Sequence, residues 1–429
     1  MFALVDVNSM YVSCERSFNP RLKGVPVVAL GNNDHCVIAR SDEAKKLGIK
    51  MGAARFQIQD LIDQHNVQLC SSNFALYGDM SARFQSLMYN FVEDVEPYSI
   101  DEVFLKVDGS YDTLYPSYQG LGESIRNTVM QWLRLPVCIG FAPTKTLAKV
   151  ANRIAKKNPE LEGICVLTNQ AEVDTALEQF EIEDLWGVGY RYAKWLKNNG
   201  ITNARQLRNA EIEWIRKKMT VQGVRLVYEL RGYPARLLED NPLPKRTISV
   251  APSFGKLIPD LTNITDALTT HLARCCEKLR KQNSIARHLT IYLHTNRNRK
   301  TPGRPDLASK QYSASRTVKL PFHSNNLIDF LPYGISALQS IYQFGYPYQK
   351  VGIILNDIVP EDNRQAGVFA DAPTPEQLEL GHVIDGLNRR FGRDAVYVAS
   401  QRKDREWEMV QGHLSQRYTT NWNELLVAY

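Results

Sequence analysis

The chain has 429 residues, 44% of them hydrophobic and 23% charged, an ordinary globular balance with room for roughly two to four domains. No apolar run approaches the ~18 residues a membrane span needs, and MFALVDVN lacks the basic start and cleavage site of a signal peptide, so a cytoplasmic protein without membrane contact is expected. The seven cysteines, without a CxxC pair, read as buried small hydrophobes rather than a disulfide or zinc framework, and the net charge of +6 points weakly to nucleic acid.

FALVDV (2–7) predicts a buried strand ending on polar residues, and VPVVAL (25–30) and CVIAR (36–40) predict two more around the turn GNNDH. SDEAKKLGIKMG (41–52) predicts a short helix that Ser41 caps and Gly48 stops. Met80, Phe84, Leu87, Met88 and Phe91 recur at helical spacing in 79–92. YSIDEVFLKV (98–107) predicts a strand, GESIRNTVMQWLRL (122–135) a helix, VCIGFA (137–142) a strand and TKTLAKVANRIAKK (144–157) a helix. This irregular alternation predicts an α+β sheet domain. Strand signals vanish from 181 to about 247, where Gly187 and Gly189 sit between two helical patterns. The three prolines of 231–246 predict a linker. Strand 247–254, helix 262–283, strands 288–294 and 311–320, helix 325–344 and strand 350–357 then give a βαββαβ pattern. One helical stretch, near 375–391, is predicted beyond it.

The basic residues come in blocks: 144–158 holds five and no acid, and 274–304 holds nine and only Glu277 as an acid. Such blocks suit a polyanion. The acids raise a different question. Asp6 ends the first strand, and Asp101 and Glu102 sit side by side at the start of another. Converging carboxylates repel unless a cation joins them, and hard oxygen ligands favour Mg²⁺. Two such ions can clamp a displacement at phosphorus. Consecutive strand residues point to opposite faces, so both acids face one site only if a turn or bulge intervenes. The bland alternative is a pair of exposed strand-end acids. Tyr11 lies five residues after Asp6 and, on a helix following the strand, would lie over the same site, where it could exclude a 2′-OH; the alternative is a core tyrosine. Lys145, Lys149, Arg153 and Lys156 share a helix face suited to a triphosphate, or simply to water. The glycines of WGVGY would let backbone N–H groups approach a DNA phosphate; a plain αα-hairpin is the alternative.

Together these motifs resemble the Y-family translesion DNA polymerases, of the UmuC/MucB type. The resemblance rests on ALVDVNSMYVSCE (3–15), NNDHCVIARSDEAKKLGIKMG (32–52), SSNFALYGDMSARF (71–84), YSIDEVF (98–104), GFAPTKTLAKVANRIAK (140–156), WGVGYR (186–191), YELRG (228–232) and LSQRYTTNW (414–422). It implies a right-handed polymerase: palm (1–30 and 77–170), small fingers (31–76), helix-hairpin-helix thumb (171–232), linker (233–246), βαββαβ little finger (247–358) and a C-terminal partner-binding region (359–429). It implies that Asp6, Asp101 and Glu102, with the Val7 carbonyl, hold two Mg²⁺ ions. Tyr11 matches the steric gate and Lys156 the triphosphate lysine. Lys45 stands where many members carry a triphosphate arginine, and Asp42 where many carry a tyrosine, so Arg40 is a further candidate for the dNTP. Gly187, Gly189, Arg280, Lys281 and Arg287 are the candidates for gripping DNA. QAGVF (365–369) resembles a sliding-clamp peptide anchored by Gln365, Val368 and Phe369. A processed UmuD dimer and a RecA filament are implied as partners, and a bacterial, nucleoid-associated setting with an SOS-response role. The expected activity is error-prone DNA synthesis opposite damaged template. Two rivals are a catalytically silent DNA-binding scaffold and a palm-type nucleotidyl cyclase. The five intact residues Asp6, Tyr11, Asp101, Glu102 and Lys156 argue against the first, and the basic duplex-gripping regions against the second.

Overall fold

The computed structural model describes all residues except 109–114, 116, 240–242, 297–299, 302–303, 309–310, 364–374, 403 and 427–429. The clamp-like peptide with Gln365, Val368 and Phe369 lies outside the described residues. The fold is α+β, and the chain divides into two compact units. The first comprises Met1–Gly31, His35–Pro242 and His413–Tyr429; the second comprises Asn32–Asp34 and Leu243–Gly412. Among the described residues no helix is long and apolar enough to cross a membrane.

The first unit is built on a five-stranded sheet. Phe2–Val7 lies at its centre, fully buried along its length, which is why its sequence runs apolar without alternation. It pairs antiparallel with Glu102–Lys106 on one side and Val137–Ala142 on the other; Val95–Pro97 and Ile164–Val166 complete the edges. Helix Lys145–Lys157 lies against this sheet at very close range. Gly140 permits the approach, since a Cβ there would land on the Asn152 backbone nitrogen and the Ala148 carbonyl. Helices Phe74–Met88 and Tyr118–Leu133 contribute to the core around Val5, Phe84 and Ile125. A smaller sheet pairs Val27–Leu30 with Val37–Arg40 and with Gln68–Ser71. Val27–Leu30, expected to belong with the first strand's domain, thus joins the sheet of 31–76.

Between 170 and 230 the described structure is helical, as the loss of strand signals predicted. Helices Gln170–Glu178, Tyr190–Asn198, Ala204–Asn209 and Ile212–Leu230 share a core with the sheet's helix Lys145–Lys157. The element before the WGVGY turn is only a single 3₁₀ turn, Ile182–Asp184, rather than the helix expected there.

The segment expected to be a linker is anchored over its first half. The buried Glu229 carboxylate accepts hydrogen bonds from the Thr146, Ala235 and Arg236 backbone N–H groups at 2.7–3.0 Å. Lys145 forms a buried ion pair with Glu96 and donates to the Leu237 carbonyl at 2.7 Å. Proline count alone does not reveal such anchors, because they are made by a buried acid just before the segment, Glu229, and by Lys145, 92 residues from Leu237.

The second unit is a four-stranded antiparallel sheet in the order Ser313–Ser324, Ser284–Thr295, Tyr348–Pro360, Ile248–Val250. Helices Leu261–Lys281 and Leu327–Ile341 cover it, giving the expected βαββαβ order. The C-terminal region is not a separate body. Arg280 makes a two-pronged ion pair with Asp385 of helix Pro375–Phe391, at 2.6 and 2.8 Å. Trp407 enters the core and donates to Asp266 at 2.6 Å. Residues from 413 onward belong to the first unit instead.

Candidate active site

The three acids come together at one end of the central sheet. Asp6 is the cross-strand partner of Glu102. Asp101 precedes the strand, in a turn where the Tyr98 and Ser99 N–H groups both donate to the Glu102 carbonyl. The Val7 N–H donates to the Asp101 carbonyl at 2.8 Å, which fastens that turn beside the end of the first strand. The turn answers the parity problem: Asp101 is outside the pleat, so it is not forced to the face opposite Glu102. Ser99 Oγ donates to Asp101 Oδ1 at 2.6 Å and accepts from the Glu102 N–H, which fixes the turn.

Lysines, not only metal ions, can make these acids tolerable. Lys156 Nζ lies 2.6 Å from Asp6 Oδ1, and Lys149 Nζ lies 2.6 Å from Glu102 Oε1. Both come from helix Lys145–Lys157, which Thr144 caps. Lys149 sits among the rings of Tyr98, Trp186 and Phe104, 4.7, 5.2 and 5.7 Å from their centroids. These rings favour the cation and hold it in place. Even so, burial pushes the Asp6 carboxyl up to about 6; Lys156 pulls it back, while Glu102 and Asp101 add to the rise. Asp6 is therefore a carboxylate short of positive charge. Among the described residues no three His, Cys, Asp or Glu groups stand close enough to hold an ion as they are. The donor types, three carboxylates and the backbone carbonyl of the residue after Asp6, are nonetheless the hard-oxygen kind that Mg²⁺ takes.

An open cleft of ≈ 250 Å³ borders Asp6 and Glu102 and is lined by Lys149, Arg153, Lys156 and Trp186. Arg153 is held at 2.6 Å by Asp184, so the basic face is braced against the 3₁₀ turn. Lys145, the first member of that face, is not in the cleft; it is buried on Glu96.

Tyr11 is the second residue of helix Met10–Phe18. Its ring stacks on Tyr77 at 4.6 Å and 17°, with Phe74 edge-on at 6.1 Å. Burial raises its hydroxyl pKa first, and the Asp101 charge adds to that. Tyr77 and Phe74 escaped the sequence reading because the helix was expected to begin at 79. It begins at Phe74, and Asn73 as its cap was the available signal.

The remaining candidates are dispersed. Arg40 ends strand Val37–Arg40, and its Nε and Nη1 are buried without a hydrogen-bond partner. Lys45 is spent on Asp42 at 2.8 Å, in an exposed pair. Gly187 takes φ +89°, and Gly189 caps helix Tyr190–Asn198 with no side-chain bond. Lys281 is exposed. Arg287 donates to the Leu320 and Pro321 carbonyls at 2.9 Å. Arg280 does not fit a phosphate contact: it is buried, and its donors are taken by Asp385 and the Asn325 carbonyl. Its place in a basic sequence block hid the acid a hundred residues on.

The impB/mucB/samB family matches residues 5–153, its C-terminal domain matches 245–368, and a domain of unknown function (DUF4113) matches 379–428. Protein ImpB of Salmonella typhimurium is 36% identical over 100% of this chain and 99% of its own length. Protein UmuC of Salmonella typhimurium is 37% identical over 99% of each. Among solved structures, a Y-family DNA polymerase chimera superposes with a TM-score of 0.67 at 20% identity, covering 84% of this chain and 100% of that one, which bears on the fold. End-to-end identity to curated relatives, together with family matches in both halves of the sequence, establishes that the chain belongs to the impB/mucB/samB family.

Proposed function

We propose that this chain is an error-prone translesion DNA-directed DNA polymerase that joins a dNTP to a primer 3′-OH opposite damaged template. The observation that carries the reading is the pairing of Asp6 and Glu102, with Asp101 in the adjoining turn, at the rim of a cleft whose other wall is the basic face of one helix. Two Mg²⁺ ions held by Asp6, Asp101, Glu102 and the Val7 carbonyl would polarise the α-phosphate and lower the pKa of the primer hydroxyl. Lys156 and Lys149 supply positive charge to the triphosphate and to the leaving pyrophosphate. Arg40, with unpartnered donors, is suited to a phosphate oxygen as well. Tyr11, stacked against Tyr77, is the residue this reading takes as the gate that would exclude a 2′-OH.

On this reading the chain divides into palm, small fingers, helix-hairpin-helix thumb and little finger. The positive φ of Gly187 and the open space around the Cα of Gly189, at the N-terminus of helix Tyr190–Asn198, support a backbone grip on a DNA phosphate. Lys281 adds to it by charge. Primed DNA is the substrate. A processed UmuD dimer, a RecA filament and a sliding clamp taken by Gln365, Val368 and Phe369 are the partners this reading carries over. Small fingers enclose the templating pair poorly, which admits damaged bases at a cost in fidelity.

The test is primer extension on an abasic template with Mg²⁺, with and without processed UmuD and RecA filament, comparing the parent with Asp101→Ala. Extension past the lesion that falls at least ~10³-fold in the variant is expected. Binding of primed DNA by both proteins without extension by either, on any template, would instead support the scaffold.

A further inference from the structure

Residues 413–418 run across the first unit beside the tyrosine pair. The His413 N–H donates to Ser71 Oγ, and the Ser71 N–H donates to the His413 carbonyl, each at 2.9 Å. Asn73, the cap of helix Phe74–Met88, donates through its side chain to Ser415 Oγ and to the Ser415 and Gln416 carbonyls at 3.0–3.2 Å. Tyr418 stacks on Phe18 at 4.9 Å and 7°. Between these anchors lies one buried acid. Ser415 Oγ donates to Glu15 Oε1 at 3.0 Å, and Tyr77 Oη donates to the same oxygen at 2.6 Å. Glu15 is 2% exposed and Tyr77 is fully buried, so neither has water as a substitute partner.

The chain of contacts is therefore continuous: Ser415 to Glu15, Glu15 to Tyr77, and the Tyr77 ring to the Tyr11 ring at 4.6 Å. A stacked ring alone slides and tilts at little cost, because its attraction is broad. A hydroxyl tied to a buried carboxylate fixes the ring in its plane. We propose that residues 413–418 are a positioning element for sugar discrimination: Ser415 and Glu15 lock Tyr77, and Tyr77 is the floor that holds Tyr11 in place. The proposal rests on the reading of Tyr11 as the steric gate. A clash gate works only while the ring stays put, so an unsupported Tyr11 should yield to a ribose. Burial raises the Glu15 pKa, and the two donated hydrogen bonds lower it again, consistent with an acid that depends on both neighbours.

The experiment is single-nucleotide incorporation by the full-length chain with dNTP and rNTP, using parent, Ser415→Ala, Ser415→Thr, Tyr77→Phe and Tyr11→Ala, each first checked for folding by thermal denaturation. Ser415→Ala and Tyr77→Phe are expected to lose on the order of tenfold in dNTP-over-rNTP selectivity, through a lower KM for the ribonucleotide. The kcat for dNTP in Ser415→Ala should stay near the parent value. Ser415→Thr keeps the hydroxyl and should keep the selectivity. In the Tyr11→Ala background, Tyr77→Phe should add nothing, since no ring remains to be held. Selectivity lost in Tyr11→Ala but intact in Ser415→Ala and Tyr77→Phe overturns the positioning role and leaves the gate standing. Selectivity intact in Tyr11→Ala removes the gate itself, and the positioning role with it. If Tyr77→Phe fails to fold, Ser415→Ala and Ser415→Thr, whose side chain is only partly buried, decide the matter.

Discussion

Asp6 shows how much of the site's chemistry is concentrated in single residues. Its carboxyl is pushed up to about 6, above the range of an exposed aspartic acid, chiefly by burial. The stability supplied by the neutral form is complete below pH about 4 and is lost as the pH rises through about 6. In metal-free protein, Asp6→Asn should therefore be more stable than the parent at pH 7–8, by on the order of 2–3 kcal/mol. That gain should shrink to nothing near pH 4. Denaturant titrations at several pH values read it directly; parallel pH profiles would remove the assignment. Trp186 offers a second residue-scale test. It packs between two cations, with Arg236 4.3 Å and Lys149 5.2 Å from its ring. If Lys149 leaves its rings for a triphosphate, Trp186 emission should change on adding dNTP, and Trp186→Phe should abolish the change. A dNTP-dependent signal that survives the substitution would assign it to another of the six tryptophans.

At the scale of elements, the site depends on how closely helix Lys145–Lys157 approaches strand Val137–Ala142. Gly140→Ala would drive a methyl into the backbone at Ala148 and Asn152, and backbone cannot rotate away as a side chain can. A loss of about 3 kcal/mol is expected, along with weakened polymerase activity as Lys149 and Lys156 shift. Gly78→Ala, in helix Phe74–Met88 with nothing near its Cβ, is the control and should stabilise by about 0.5–1 kcal/mol. Urea denaturation of the two variants compares them. The strands and helices around the acids were largely legible, because FALVDV, VCIGFA and the TKTLAK helix carry strong local patterns. Boundaries were less so: the strand of YSIDEVFLKV starts at Glu102, not Tyr98, because Ser99 ties 98–101 into a turn. That turn is what brings Asp101 and Glu102 to one site, and no period in the sequence reports it.

Across the whole molecule, charge was easier to read than its use. The block 274–304 looks uniformly available for DNA, but Arg280 is consumed by Asp385 and Arg287 by backbone carbonyls. The surviving cations should still make binding of primed DNA fall by at least ~10²-fold between 50 and 200 mM salt; a flat response would remove the duplex-gripping reading. What the sequence could not display were partnerships across hundreds of positions, such as Asn73 with Ser415 or Glu15 with Ser415. The acids, Tyr11 and Lys156 could be singled out in the sequence because each lies in a local motif; Glu15, Tyr77 and Ser415 become a group only once the chain has folded. The first unit is assembled from segments that begin the sequence and a segment beyond residue 412. A ribosome delivers these segments in order, and domains begin to fold as they emerge. The nascent first unit must therefore wait, with Glu15 and the cap at Asn73 missing their last partners, until some four hundred residues have been translated. A message cut short after the second unit would yield a protein with all three acids and Tyr11 but without Ser415, and on the role proposed for Ser415, translation itself would determine when sugar discrimination is complete.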